Sequence, residues 1–411
     1  MNEPIAPSAL IAASRIDFTG KRGDFRRLVI RGGALELVTV GFYRFWLATD
    51  IRRHLWSNTT VGRDALEYTG TAKELLIGFL FALAILAPIY LIYFFIGLEA
   101  ERLKAFLSFP LVLFFYLFTQ FAIYRARRYR LTRTVWRGVR FWMAGSGWSY
   151  AWRAGLWLLF VAITVGLALP WRQAALERFK MRHTSYGDLQ GRFDATGGQL
   201  FKRGWWLWLL TILLFVGIVA LPSMAGQAQS MPAEVATLVR IAIGIVATVV
   251  LLIGMPFVYG AFKAIEWRWW VSGIRFGEVS FESDMGMGRL MGLYWKVIGW
   301  MVLLLIGLSA WFGGVFWFLF STSDAAGRQA ERIAAIAQQP STLIATALGY
   351  IIFILAMWVV LRMYLMRDVW QRVAASTAVH NLAAADNVAA RGHLVGALGE
   401  GFADSLDVVG F

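Results

Sequence analysis

The chain has 411 residues, of which 59% are hydrophobic and 16% charged, and its formal net charge is +15 at pH 7. Soluble domains carry roughly 25% charged residues, so the composition favours an integral membrane protein. The absence of cysteine excludes disulfides and thiolate metal sites. So much positive charge would indicate nucleic acid binding in a soluble protein. In a membrane protein basic cytoplasmic loops explain it, so we expect no nucleic acid partner.

Long apolar segments follow one another along most of the chain. A helix needs about 20 residues to cross a bilayer, and six segments approach or exceed this length, at 75–97, 105–124, 204–222, 238–260, 293–318 and 342–361. Two weaker segments lie at 33–47, which contains Glu36, and at 154–170. We therefore expect an all-α polytopic membrane protein with about six long transmembrane helices and two short segments that are re-entrant or interfacial.

Lysine and arginine are unevenly distributed over the connections between these segments. Arg125–Arg153 has eight of them and Trp171–Arg203 has seven, whereas Pro222–Leu238 has none. Basic connections stay in the cytoplasm, which predicts a multipass membrane protein with these connections on the cytoplasmic side. Only 154–170 separates the two strongly basic connections, so a re-entrant or interfacial segment explains the charges better than a single crossing. Whether 33–47 and 154–170 cross stays open.

The same features divide the chain into four parts. Residues 1–31 form a cytoplasmic N-terminal segment, and residues 367–411 form a cytoplasmic C-terminal tail. Between them lie a first membrane part, 32–203, with repeat motifs at 43–70, 124–150 and 171–197, and a second membrane part, 204–366, with a repeat motif at 261–285. Each motif joins the end of one apolar segment to the start of the next.

The repeat motif is clearest around two glycines. "SNTTVG" ends at Gly62 and "HTSYG" ends at Gly187, and a tryptophan lies 16 residues before each glycine. We expect a short helix that ends at the glycine, since glycine readily takes the left-handed conformation that reverses a chain. Another copy has Gly277, one has Trp142 where the glycine is expected, and a degenerate last copy covers 370–381. The copies serve either as scaffold alone or as one composite binding surface.

Arginines cluster beside these motifs, at the predicted cytoplasmic interface: Arg52, Arg53, Arg127, Arg128, Arg130, Arg178 and Arg182. Tryptophan settles at headgroup depth, and a lysine or arginine near an anionic leaflet gains about 1 kcal/mol. We therefore interpret the arginines as a candidate site for anionic membrane lipid or for a partner. A plain orientation signal needs only their charge, and this alternative stays open.

Few side chains are arranged for chemistry. The four histidines have no metal-ligand spacing, and no phosphate-binding glycine loop or nucleophile elbow occurs. We expect no catalytic residue, no cofactor, no metal and hence no enzyme. Glu36 is the candidate intramembrane polar residue. It lies either in a partly hydrated interfacial helix or in a broken helix that lines a polar site.

Two functions remain. The features favour a membrane scaffold or partner-binding protein with a basic collar that faces anionic lipid. The alternative is a transporter or permease for a small solute or lipid, which a wide polar cavity near Glu36 would support.

Several stretches resemble the YjgN-like family of bacterial inner-membrane proteins: "FTGKRGDFRRL", "VTVGFYRFWLATDIRRHLWSNTTVG", "RLTRTVWRGVRF" with "GSGWSYAWRAG", and "LALPWRQAALERFKMRHTSYG". The resemblance covers most of residues 15–290. It implies a polytopic inner-membrane protein, and it supplies no activity or catalytic residue. It also suggests a membrane-associated metallopeptidase as a partner.

Overall fold

The computed structural model describes residues 14–99, 101–227, 232–322 and 339–392, together with Gly396 and Asp404. The first half of the chain contains β1 (Ser14–Phe18), α1 (Arg22–Val38), α2 (Arg44–Ser57), β2 (Thr59–Val61), β3 (Asp64–Tyr68), α3 (Ala72–Glu99), α4 (Glu101–Thr132), β4 (Thr134–Trp136), β5 (Val139–Met143), α5 (Gly147–Ile163), α6 (Leu169–Arg182), β6 (Thr184–Tyr186) and β7 (Leu189–Phe193). The second half contains α7 (Gly197–Gln227), α8 (Ala233–Val249), a π-helical turn (Val250–Gly254), α9 (Met255–Gly273), β8 (Ile274–Phe276), β9 (Val279–Ser283), α10 (Met287–Thr322), α11 (Pro340–Leu361), a π-helical turn (Arg362–Asp368), α12 (Val369–Ala375), β10 (Thr377–His380) and a 3₁₀ turn (Leu382–Ala385).

The ten strands close into one antiparallel barrel, in the order β1-β10-β9-β8-β7-β6-β5-β4-β3-β2. Five-residue strands alternate with short strands of three or four residues. A helical connection leads from each five-residue strand to the next short strand, so these connections all leave from one rim of the barrel. The expectation of an all-α protein is therefore wrong. Strands this short give too little alternation to stand out between long apolar helices.

Two-residue turns join short strands to long ones at the opposite rim. Gly62, Gly138, Gly187 and Gly277 lie in these turns with φ of +67°, +74°, +53° and +55°. The expected helix ends at Gly62, Gly187 and Gly277 are thus hairpin turns, because each helix has already ended before the short strand begins. In the copy with Trp142, Gly138 takes the turn and Trp142 lies within β5.

Apolar side chains fill the barrel. Their cross-strand partners form one layer: Ile16 with Val61, Leu66 with Trp136, Phe141 with Tyr186, Gly191 with Phe276, and Phe281 with Val379. Except for Gly191, these residues belong to a single apolar cluster. Alternation along each strand explains it, since every second side chain faces the same side of a sheet.

The chain after β10 adds to this core. Leu382, Ala385 and Val388 pack into the same apolar cluster. The Ala389 N–H donates to Asp188 Oδ1 at 3.1 Å, in the turn between β6 and β7. The segment 382–389 therefore covers the turn side of the barrel core.

Five helices are long and apolar enough to cross a membrane: Ala72–Phe95, Gly197–Ala220, Ala233–Gly273, Met287–Phe318 and Pro340–Ala375. The predicted number of six is corrected to five for the described residues. The predicted segment 105–124 lies in α4, where the side chains of 101–107 and 109 are outside the described set. The described remainder of α4 contains Arg125 and Arg127, which lower its hydropathy.

The two weaker apolar segments are not single elements. Residues 33–47 contain the end of α1, a turn and the start of α2, and residues 154–170 contain most of α5, a turn and the start of α6. Both pairs consist of a 17-residue and a 14-residue helix. Each weak segment is therefore the closed end of a short helical hairpin.

The chain divides into two compact units. One contains the barrel and α3–α9; within it α4 packs on α5, α6 on α7, and α7 on α9. The other unit consists of Gly20–Ile51 and Gly292–Trp370. In this second unit α1 packs on α11, and the contact is close because a Cβ on Gly33 would lie 2.7 Å from Leu355 Cδ1.

Candidate functional site at the helix rim of the barrel

Threonine hydroxyls join the helices to the short strands. Each donates to the carbonyl of the fourth residue before it: Thr59 to Leu55 at 2.7 Å, Thr134 to Arg130 at 2.9 Å, Thr184 to Lys180 at 2.9 Å, and Thr377 to Val373 at 2.8 Å. Carbonyls in the last turn of a helix lack an intrahelical partner. The recurring hydroxyl supplies one. Ile274 occupies this position at the start of β8 and has no hydroxyl.

Arginines hold the two ends of four of the five hairpins together at the same rim. The guanidinium of a helix residue donates to a backbone carbonyl just beyond a five-residue strand: Arg53 to Gly70 at 3.0 Å, Arg128 to Gly145 at 3.3 Å, Arg178 to Ala195 at 3.5 Å, and Arg367 to Gly20 at 2.7 Å. Every acceptor lies two residues after the end of its strand. These contacts, which we call the arginine clamps, therefore link the helix that enters a hairpin to the chain that leaves it.

A buried cluster of charges lies beside the clamps. Arg52 Nη2 is 3.1 Å from Asp404 Oδ1, and Arg130 Nε is 3.4 Å from the same oxygen. The Arg52 Nη1 also donates to the Tyr68 hydroxyl at 3.2 Å. Burial opposes the charge of Arg52, but the neighbouring Asp404 carboxylate raises the pKa of Arg52 above its ordinary value. Burial lowers the pKa of Arg130 and outweighs the opposing effect of Asp404, and the charge of Arg52 lowers this pKa further.

A second charged cluster surrounds Glu177 on α6. Arg127 Nη1 lies 3.1 Å from Glu177 Oε2, and Lys180 forms an ion pair with Glu177 Oε1. Burial alone would raise the pKa of Glu177, but the charges of Lys180 and Arg127 outweigh it and lower this pKa to about 2. Glu177 therefore stays ionised in the folded protein at any ordinary pH.

A groove of about 510 Å³ runs along the outside of the barrel. It is lined by Arg178, Arg182, Gln190, Gly191, Arg192, Phe193, Asp194 and Gly277. Asp194 pairs with Arg192 at 2.7 Å and with Arg275 at 3.6 Å. One carboxylate faces several guanidinium groups, so the groove is cationic.

The repeated threonine hydrogen bonds and arginine clamps occur along nearly the whole chain. The residue pattern that defines a family of bacterial proteins of unknown function, DUF898, matches residues 13–405. The chain belongs to the DUF898 family. The resemblance to YjgN-like proteins is thereby confirmed, and the match includes β10 and Asp404. No curated protein and no solved structure matches the chain.

The seven arginines predicted as a collar occupy three different settings in this DUF898 protein. Arg52, Arg127 and Arg130 lie in the two charged clusters, Arg53, Arg128 and Arg178 form clamps, and Arg178 and Arg182 line the groove. Sequence reasoning missed Arg192 and Arg275, because both lie on strands that it did not recognise. It also missed Asp404, which lies 352 residues from Arg52.

Glu36 of the DUF898 protein has an arginine partner. Its Oε2 lies 2.8 Å from Arg362 Nη2, and both side chains are largely covered. The pair neutralises the charge of Glu36 next to the apolar helix α11. Among the residues that the structure describes, no group of three or more His, Asp or Glu side chains is arranged to hold a metal ion.

Proposed function

We propose that this DUF898 protein is a multipass protein of the bacterial inner membrane that acts as a non-enzymatic scaffold. Its barrel is the cytoplasmic platform, and the groove beside Arg182 binds an acidic partner. The filled barrel core carries this proposal. Because apolar side chains occupy the interior and residues 382–389 cover one side, the barrel offers partners its outer surface.

The distribution of charge supports a cytoplasmic barrel. The connections Arg125–Arg153 and Trp171–Arg203, which carry eight and seven basic residues, include strands β4 to β7. Pro222–Leu238, between two of the apolar helices, has no basic residue. Loops rich in lysine and arginine are retained in the cytoplasm.

The chemistry of the groove supports an acidic partner rather than the predicted lipid-facing collar. Six of the seven collar arginines already donate to groups of the protein itself. Arg182 extends from the end of α6 with an exposed side chain, next to Arg192. A guanidinium binds a carboxylate with two parallel hydrogen bonds, so an acidic segment of a second protein fits here. The membrane-associated metallopeptidase implied by the YjgN-like resemblance is one such partner to test.

Site-specific photocrosslinking in cells tests the proposal. A crosslinking amino acid at Glu278, in the turn beside the groove, should form a discrete protein adduct. The matched control is Arg63, the equivalent residue in the turn between β2 and β3, where we expect no such adduct. Arg182→Glu should abolish the Glu278 adduct while the melting temperature of the purified protein stays unchanged.

Two results would contradict the scaffold role. The first is a set of adducts that is the same at Glu278 and Arg63 and insensitive to Arg182→Glu. The second is solute uptake into proteoliposomes that is lost in Glu36→Gln, which would support a transporter instead.

A further inference from the structure

The turns that close the two short helical hairpins have similar five-residue sequences that share Thr-Val-Gly. The first closes with "VTVGF" (Val38–Phe42) and the second with "ITVGL" (Ile163–Leu167). In both, the valine and glycine take left-handed conformations, with φ of 51° and 87° at Val40 and Gly41 and of 49° and 84° at Val165 and Gly166. A non-glycine residue with positive φ is uncommon, so its recurrence at matching positions marks a built feature. We call these two turns the TVG tips.

Each TVG tip pairs its own backbone N–H groups. In the first, the N–H groups of residues 40, 41 and 42 all donate to carbonyls within the hairpin, and the second tip repeats this at residues 165, 166 and 167. The threonine hydroxyl accepts the N–H of the residue four positions on, at 2.9 Å for Thr39 and 3.1 Å for Thr164. Internal pairing of the N–H groups suits a turn inside hydrocarbon, where no water is available.

The side chains of the TVG tips are apolar and uncovered. Val38 and Val40 are 80% and 88% exposed, and Ile163 and Val165 are 78% and 72% exposed. Single exposed apolar residues are normal on protein surfaces. Two matched tips, each presenting adjacent branched aliphatic side chains, require an apolar environment.

The second tip lies level with the middle of a neighbouring apolar helix. The Trp208 indole N–H donates to the Val165 carbonyl at 3.2 Å. Trp208 is central in Gly197–Ala220, one of the five helices apolar enough to cross a membrane. From the exposed Trp152 to Ile163 the helix rises about 16 Å at 1.5 Å per residue. This is about half of a 30 Å hydrocarbon core.

The first tip also belongs to a hairpin that packs beside an apolar helix. Gly33 contacts Leu355 on α11. The ion pair of Glu36 with Arg362 offsets the charge of Glu36 near this tip.

We propose that each TVG tip inserts into a single leaflet and contacts lipid acyl chains, with its end near the bilayer midplane. The proposal rests on the membrane location given above, and adds a lipid-binding surface to it. The occupant of both tips is hydrocarbon. Each hairpin then displaces lipid from one leaflet and leaves the opposite leaflet intact.

Fluorescence quenching in proteoliposomes tests the insertion. The chain has no cysteine, so Val165→Cys and Val40→Cys can each carry one environment-sensitive dye. We expect blue-shifted emission and at least twofold stronger quenching by lipids with a nitroxide near the end of the acyl chain than by lipids with a nitroxide at the headgroup. Dye on Arg63→Cys, at the barrel turn, is the control and should emit as in water.

Other outcomes would overturn the proposal. Stronger quenching from the headgroup nitroxide would mean that the tips lie at the surface, and absence of quenching by either lipid would mean that protein covers them. Labelling of Val165→Cys from the face opposite the barrel would mean that the hairpin crosses. Dye on Ile163→Cys repeats the measurement if Val165→Cys fails to fold. None of these results depends on the crosslinking at Glu278, so the scaffold role and the insertion can fail separately.

Discussion

Replacing Glu177 tests whether its charged cluster stabilises the fold. Glu177→Gln keeps the shape of the side chain but leaves Arg127 and Lys180 largely buried without a carboxylate. The pKa of Glu177 falls from 4.5 to about 2 on folding. Because a tenfold change in proton affinity is worth about 1.4 kcal/mol, the ionised carboxylate contributes about 3 kcal/mol. Removal of one partner from a buried ion pair costs a similar amount, about 3–5 kcal/mol.

The loss should be visible in thermal unfolding of the purified protein in detergent. Unfolding entropy is about 2.1 cal/mol/K per residue, and the unit that contains the barrel has about 300 residues. The expected decrease in melting temperature is therefore on the order of 5 °C at pH 7. Glu67→Gln, on the exposed face of β3, is the matched control and should leave the melting temperature unchanged.

The pH dependence gives a second readout. A carboxyl group with a lowered pKa stabilises the fold above its unfolded pKa, and this contribution is lost as the pH falls toward its folded pKa. The difference between wild type and Glu177→Gln should thus be constant down to about pH 5 and about halved near pH 3. Equal melting temperatures at pH 7, or a difference that does not change with pH, would refute the reasoning.

Three further predictions concern the repeated joints. Gly187→Ala should strongly reduce the yield of folded protein, since the new Cβ would lie 2.4 Å from the Ala389 carbonyl oxygen; Gly286→Ala, which meets no atom within 4 Å, is the control for size-exclusion chromatography. Thr184→Val should cost about 1 kcal/mol through one lost hydrogen bond, while Thr184→Ser should recover most of it; equal thermal stability of all three proteins would contradict the role of the hydroxyl. Arg128→Gln should lower the melting temperature through the lost clamp and leave retention of anionic lipid in native mass spectrometry unchanged. Weaker lipid retention with an unchanged melting temperature would instead support the predicted lipid-binding role of Arg128.

The long helices are the part of the fold that could be predicted from the sequence. A segment such as 75–97 has no charged residue, so it is most stable in hydrocarbon. The barrel could not be predicted in this way. Its strands have three to five residues, and pairing between β1 and β10 joins residues that are more than 350 positions apart.

The types of residue in the candidate site could be predicted from the sequence, but the burial and the partners of each residue could not. The repeated glycines and hydroxyls stood out because their spacing recurs, and the repeat does organise the barrel. An arginine count cannot distinguish Arg52, buried against Asp404, from Arg182, exposed beside the groove. That distinction depends on which helix faces Asp404, a residue from the other end of the chain. Similarly, the sequence placed Trp142 at the expected glycine position of its copy, and only the hairpin register places Gly138, four residues earlier, in the turn.

The closing of the barrel by β10 against β1 has a consequence for how the protein is made. Four of the five hairpins are continuous in sequence, and the fifth pairs β10 with β1, the last and first strands of the barrel. Until the ribosome has released β10, both β1 and β9 present unpaired backbone edges, which can template pairing with other chains. Every α-helix described above must therefore be synthesised before β10 can close the barrel. Completion of the sheet therefore requires synthesis of the chain through β10.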